Sequence, residues 1–227
     1  MLYHEEAVKC NIRNRDGKRV FYLGKGDQLT SSARDWLTRE RIPVLPAEQA
    51  KPDRYLLENG GYLEEKPEHM THLHGNVLVP KTHPRIRFRG KMDTLEAELI
   101  TCQIISLQWR KECAEILNLA RMIIRCEVME EPLHFDRLCG LTEQEQRHHS
   151  HFPQDVYGQP HFMPSAEDGQ EMAALNRARC AAREAELAAA EAFCHADGTV
   201  SRQDILQAMN RMSSMLYILM IRQKAKK

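Results

Sequence analysis

Apolar residues recur at helical spacing through most of the second half of the chain. Leu95, Leu99, Cys102 and Ile105 form one stripe that starts near Lys91, with Asp93 read into its first turn, where a carboxylate suits the helix dipole. Cys113, Ile116, Leu117, Ala120, Ile123, Ile124 and Val128 form a second, which Pro132 ends. From Asp168 to His195 ten alanines fill the spaces between charged residues, with no proline and no glycine after Gly169. Alanine is the best helix former, so this stretch predicts one helix of about 40 Å at about 1.5 Å per residue. Ala196-Asp197-Gly198 predicts a turn, and Ser201-Arg202-Gln203-Asp204 reads as a capping-box-like start to a last helix with Ile205, Met209, Met212, Leu216 and Leu219 on its inner face. Long helices joined by one long crossover describe a bundle.

The first half has shorter periods. Asp16-Gly17 is a turn signal, Val20 to Leu23 a β-prone run, and Thr30 or Ser31 a cap for a helix that carries Ala33, Trp36 and Leu37 inward. Ile42 to Leu45 reads as a returning edge strand, which closes a small α/β unit at 1–45. Residues 46–68 are polar and broken by Pro52, Gly60-Gly61 and Pro67, and read as a linker. Pro80 and Pro84 then make 69–84 an extended loop, and Arg85, Arg87 and Arg89 alternate with Ile86 and Phe88 as an extended segment would. Residues 133–165 read as mostly irregular, with a short helix from Thr142 to His148; so long a loop in a compact domain is more often functional than filler.

Composition narrows the function classes. Lys plus Arg equals Asp plus Glu, so net charge argues against a nucleic-acid or anionic-membrane partner. The longest apolar run, Met215 to Ile221, is far short of a membrane span. Seven scattered cysteines with no close pair, behind an N-terminus without an apolar leader, fit a reducing cytosol and a soluble protein better than a disulfide framework.

Within the long helix, Asn176, Arg179, Arg183 and Glu186 fall at i, i+3, i+7 and i+10, along one face. Arg179 and Arg183 repel one another unless an anion or a facing carboxylate lies between them. Taken alone, such a face is more often simply solvated. His69, His72 and His74, like His148, His149 and His151, form loop trios without a fourth ligand, and no metal site is expected from them.

Four segments together resemble a known family. They are Met70-Thr71-His72-Leu73-His74-Gly75 through Val79-Pro80-Lys81, Arg85-Ile86 through Gly90-Lys91-Met92-Asp93-Thr94-Leu95, the Arg179/Arg183/Glu186 helix, and Asp204 through Ser214. In this order the chain from about Pro67 onward is similar to the ATP:cobalamin adenosyltransferases, most of all to their ethanolamine-utilisation branch. Leu29 to Arg34 adds a weaker match. The resemblance implies a mainly α fold, a five-helix bundle at 69–227 with the small N-terminal α/β unit as an appendage.

It also implies transfer of the 5′-deoxyadenosyl group of ATP to the cobalt of reduced cobalamin. By position, Thr71, Gly75, Lys81 and Thr82 would wrap the phosphates, usually with a divalent ion such as Mg2+. Asp93 and Arg183 would pair and orient the guanidinium beside ATP as the catalytic couple. Arg179, Glu186, Asn210 and Arg211 would contact nucleotide or corrinoid, and Phe162 or His161 would close the corrin pocket. The implied setting is a cytoplasmic homo-oligomer, a trimer in the family's usual form with a dimer as alternative, placed in the cytoplasm or a bacterial microcompartment. Its product would pass to a cobalamin-dependent enzyme such as ethanolamine ammonia-lyase. Departures are also visible. The metal-binding His and Cys-Cys-x-x-Cys cluster of some ethanolamine-branch members is absent, since no cysteine lies between Cys10 and Cys102. Leu187 and Ser214 stand where the propanediol-type branch has Arg and Asp. A non-catalytic bundle that binds and delivers adenosylcobalamin is therefore the competing reading, and an architectural protein docked through 1–45 a third.

Overall fold

The computed structural model describes residues 1–15, 18–49 and 54–226. The Asp16-Gly17 turn, Pro52 within the linker and the terminal Lys227 lie outside them. The chain divides into two compact units, Met1–Pro67 and Glu68–Lys227.

In the first unit, β1 (Leu2–Tyr3) runs parallel to β4 (Gln28–Leu29), and β2 (Arg13–Arg15) pairs antiparallel with β3 (Lys18–Leu23). Helix α1 is Glu5–Cys10 and α2 is Ser31–Arg39. Thr30 caps α2, its hydroxyl accepting from the Ala33 N–H at 3.3 Å. Strand β5 (Val44–Pro46) returns parallel to β3 at the sheet edge, where a proline costs no ladder bond. Val8, Phe21, Ala33, Leu37 and Ile42 form the core. Where the sequence suggests a linker, the structure carries a 3-10 turn at Ala47–Gln49 and an antiparallel hairpin of β6 (Tyr55–Leu57) and β7 (Tyr62–Leu63).

The second unit opens with the hairpin of β8 (Met70–His74) and β9 (Val77–Pro80), followed by α3 (Pro84–Ile105) and α4 (Arg110–Met129). A two-residue pairing, β10 (Arg137–Leu138) with β11 (Leu141–Thr142), leads to α5 (Glu143–His151) and α6 (Pro153–Tyr157). The long helix α7 spans Gly169–Phe193, and α8 spans Gln203–Ala225. The architecture is mainly α: α7 lies between α3 and α8, α4 packs on α3, and α5 covers α8. Alanine makes this possible. Ala178, Ala182, Ala185 and Ala189 are fully buried, so α7 meets both neighbours across methyl groups.

Three expectations are corrected. Residues 85–89 are helical: Pro84 occupies the first helical position, its φ preset for helix, and His83 caps the helix by accepting from the Arg85 N–H at 3.2 Å. Asp93 is consequently the tenth residue of α3 and outside the reach of the helix-start dipole. Finally, α8 starts without a side-chain cap, because Asp204 is drawn to the Arg202 guanidinium at 2.9 Å and to the Leu133 N–H at 2.9 Å. In the segment read as mostly irregular, the short helix expected from Thr142 to His148 is present as α5 and α6 follows it; Thr142 and Glu145 form a reciprocal capping box at the start of α5.

Candidate active site

One end of the bundle gathers several of the candidate residues. The start of α3 meets the last turns of α7 through Arg87 and Glu191 at 3.0 Å. The start of α8 is tied to the end of α4 by Arg202, which donates to the carbonyls of Cys126 at 3.3 Å and Glu131 at 3.0 Å. The β8–β9 hairpin sits at this end because Arg89 of α3 donates to the Leu73 carbonyl at 2.6 Å.

In the hairpin, Gly75 turns the chain with φ +49° and open space around its Cα. Thr71 pairs with Val79, and the Lys81 N–H closes the hairpin on the His69 carbonyl at 2.9 Å. The Lys81 ammonium is half exposed and lies 3.3 Å from the fully exposed Glu68 carboxylate. Such a surface pair is worth little, so Lys81 can swing to an incoming anion at small cost. Thr82 is exposed beside it.

The second feature is a cavity of about 500 Å3 between α7, α8 and α5, lined by Glu143, Glu186, Ala190, Gln203, Leu206, Gln207, Asn210 and Arg211. Asn210 donates to Glu186 at 2.8 Å and accepts from Arg211, which also reaches the Glu143 carbonyl at 3.4 Å. Arg211 is 8% exposed, and its Nε has no partner among the described residues. Burial lowers its pKa from the ordinary value, and Glu143 partly restores it. The guanidinium stands in the cavity wall, where its charge favours an acceptor-rich ligand, while the unpaired Nε itself is sealed from the cavity.

Two turns along the same groove, Arg179 lies over the Tyr217 ring, 5.2 Å from its centroid. The Tyr217 hydroxyl meets His161 Nδ1 at 2.8 Å, and His161 Nε2 meets the His151 carbonyl at 3.3 Å. A carbonyl only accepts, so His161 Nε2 is the donor in its contact with His151. Phe162 packs against the core with Lys224 5.6 Å from its ring centroid.

The structure therefore brings Glu186, Asn210 and Arg211 into one pocket, sets Arg179 and His161 against Tyr217 farther along, and places Thr71 and Gly75 on the hairpin with Lys81 and Thr82 directly after it. It does not join Asp93 to Arg183 within the chain. Both are exposed, and among the described residues neither makes an ion pair. At that level the seam between α3 and α7 is closed instead by Lys91 and Glu184 at 2.7 Å. Asp93 shares an outward stripe with Ala97, Ile100 and Ile104, while Arg183 continues the outer edge of α7 between Arg179 and Glu186. Among the described residues, no group of three His, Cys, Asp or Glu side chains is arranged to hold a metal ion.

Sequence reasoning missed Glu143, Gln203, Gln207 and Tyr217. Tyr217 was recoverable, since it stands two turns after Asn210 on the same face of α8; Glu143 was not, because only folding returns α5 to α8.

A family model described as cobalamin adenosyltransferase matches residues 61–223. The chain is 36% identical over 163 residues to the corrinoid adenosyltransferase EutT of Salmonella typhimurium, covering 71% of this chain and 61% of that protein. To the protein of the same name from Escherichia coli K12 it is 35% identical over 158 residues, 69% of this chain and 59% of the relative. The chain thus spans about three fifths of the length of these curated relatives.

Proposed function

The chain belongs to the cobalamin adenosyltransferase family, and on that premise we propose that it transfers the 5′-deoxyadenosyl group of ATP to the cobalt of a reduced corrinoid. The family match across 61–223, which takes in the hairpin and every residue lining the cavity, is the observation that carries this reading. In the reaction the electron-rich cobalt attacks C5′ of ATP, the cobalt–carbon bond forms, and triphosphate leaves with the electron pair of the broken C5′–O bond. Negative charge grows on the leaving group, so donors set in advance around it are the main catalytic lever.

Lys81 supplies a mobile cation for that charge, and the hairpin supplies the Thr71 and Thr82 hydroxyls and backbone amides around Gly75. The oxygen groups that this segment offers are few: the Glu68 carboxylate beside Lys81 and the hydroxyls of Thr71 and Thr82. That set suits Mg2+ held mainly by the phosphates, where the ion would neutralise triphosphate charge. Glu186, Asn210 and Arg211 hold and orient the adenosine or the corrin edge. The Arg179–Tyr217–His161 stack and Phe162 form an aromatic wall suited to a flat macrocycle.

Asp93 and Arg183 find their role between subunits. Ile100 (43% exposed), Ile104 (68%) and Leu107 (65%) leave apolar surface on the Asp93 side of α3, which a second copy would cover. There Asp93 would meet Arg183 of the partner subunit and hold that guanidinium beside ATP, in a homo-oligomer that we take to be a trimer. Among the described residues no helix is long and apolar enough to cross a membrane. We place the protein in the cytoplasm or a microcompartment, handing its product to a cobalamin-dependent lyase such as ethanolamine ammonia-lyase.

The test mixes the protein with ATP, Mg2+ and chemically reduced cobalamin and follows formation of the cobalt–carbon bond by absorbance. Product at catalytic turnover is expected. Tight binding of adenosylcobalamin without product would instead favour the delivery role.

A further inference from the structure

Beneath the β8–β9 hairpin lies a carboxylate with no exposed surface. Glu127, in the last turn of α4, receives Arg85 Nε at 2.5 Å on one oxygen and Arg89 Nε at 2.6 Å on the other. Arg89 then donates from its two terminal nitrogens to the carbonyls of Leu73 at 2.6 Å and His72 at 3.4 Å. Arg85 returns to the Glu127 carbonyl at 2.9 Å and reaches Glu130 at 3.3 Å.

Local preferences oppose this arrangement twice. A carboxylate in the last turn of a helix opposes the dipole, as do two arginines in the first turns of another. Buried ion pairs also give little net stability over apolar packing. What the cluster supplies is geometry. A guanidinium is a rigid fork, and Arg89 clamped at Nε by Glu127 has its remaining donors aimed in one direction. That direction is the strand that carries Thr71 and leads into Gly75.

We propose that Glu127 is a positioning residue for the nucleotide: through Arg89 it fixes the height and register of the hairpin that carries Thr71, Gly75 and the approach to Lys81. The proposal rests on the reading that this hairpin meets the triphosphate. Glu127 itself touches no substrate; without it Arg89 loses its orientation and the hairpin drifts from the bundle end. A misplacement of about 1 Å in a positioning element costs up to about a hundredfold in rate.

The experiment compares the full-length wild type with Glu127→Gln and Arg89→Gln, measuring ATP binding by calorimetry, steady-state kinetics with each substrate varied in turn, and amide hydrogen exchange. We expect Glu127→Gln to weaken ATP binding and raise KM for ATP about tenfold or more. KM for the reduced corrinoid should stay within about twofold, and exchange should speed up at residues 70–80 but not in α7 or α8. Should Glu127→Gln fail to fold, Arg89→Gln carries the test, since it leaves the Arg85–Glu127 pair in place. A folded variant with wild-type ATP affinity overturns the proposal alone, as does one in which both KM values and global exchange change together. A wild type that binds no ATP overturns the functional reading, and the proposal with it.

Discussion

Asp204 shows how one side chain sets a pH dependence. Burial opposes its ionisation, yet the Arg202 side chain and the N–H groups of Leu133 and Ile205 hold its carboxyl down to about 2. Its folded pKa is thus below the unfolded value of about 4, so its stabilisation is complete above that value and is lost as pH falls from about 4 towards 2. Solvent screening of this partly exposed carboxylate holds the amount to about 1 kcal/mol. In urea melts at pH 5 and pH 3, Asp204→Asn is expected to lose less stability on acidification than the wild type. The cysteines differ as sharply. Cys102 and Cys113 are buried, and burial, with the Glu115 charge, pushes the Cys139 thiol up to about 12. Cys10, Cys180 and Cys194 are exposed, so titration of the native protein with a thiol reagent should modify these three quickly and the others only on unfolding. For the reaction itself, Lys81→Ala and Arg183→Ala should each cut adenosyl transfer by at least about tenfold while leaving the circular dichroism spectrum unchanged. Two folded variants with full rate would refute the site assignment.

At the scale of elements, α7 is the helix that α3 and α8 pack against, and its sequence announces it: alanine spacing, no breakers past its first residue, and Gly169 at that first position. The observed bounds, Gly169–Phe193, fall within two residues of those expected. Because Ala182 is fully buried where α7 meets its neighbours, Ala182→Leu should cost about 1–3 kcal/mol, read as a lower urea midpoint with unchanged helicity. The start of α3 was harder to read. Arg85, Arg87 and Arg89 alternate with apolar residues, and over five positions a period of two is indistinguishable from a helix that sends its arginines different ways. They do diverge: Arg85 and Arg89, one turn apart, converge on Glu127, while Arg87 crosses to Glu191 on α7. Helix identity was legible because it follows from local spacing, whereas Glu186, Asn210 and Arg211 were singled out through the family resemblance, and their meeting across α7 and α8 is a product of the fold. The Glu127 cluster and the Glu143 wall were not legible, because their partners lie 42 and 68 residues away along the chain.

The whole molecule leaves the outward face of α3 uncovered, with Asp93 among isoleucines. Replacing Ile104 by Lys should raise the monomer fraction in sedimentation experiments and reduce turnover, although Ile104 lies outside the cavity. Meanwhile the two tryptophans report on different territory. Trp36 belongs to the first unit, half-buried with the Lys9 ammonium 5.7 Å from its ring. Trp109 belongs to the second, sealed from water with Arg222 and Lys226 at 4.7 and 4.4 Å from its ring centroid and its indole N–H given to Gln223 at 2.8 Å. Each unit therefore carries its own native fluorophore, and a pair of single Trp→Phe variants would let emission colour tell, without any label, which unit melts first.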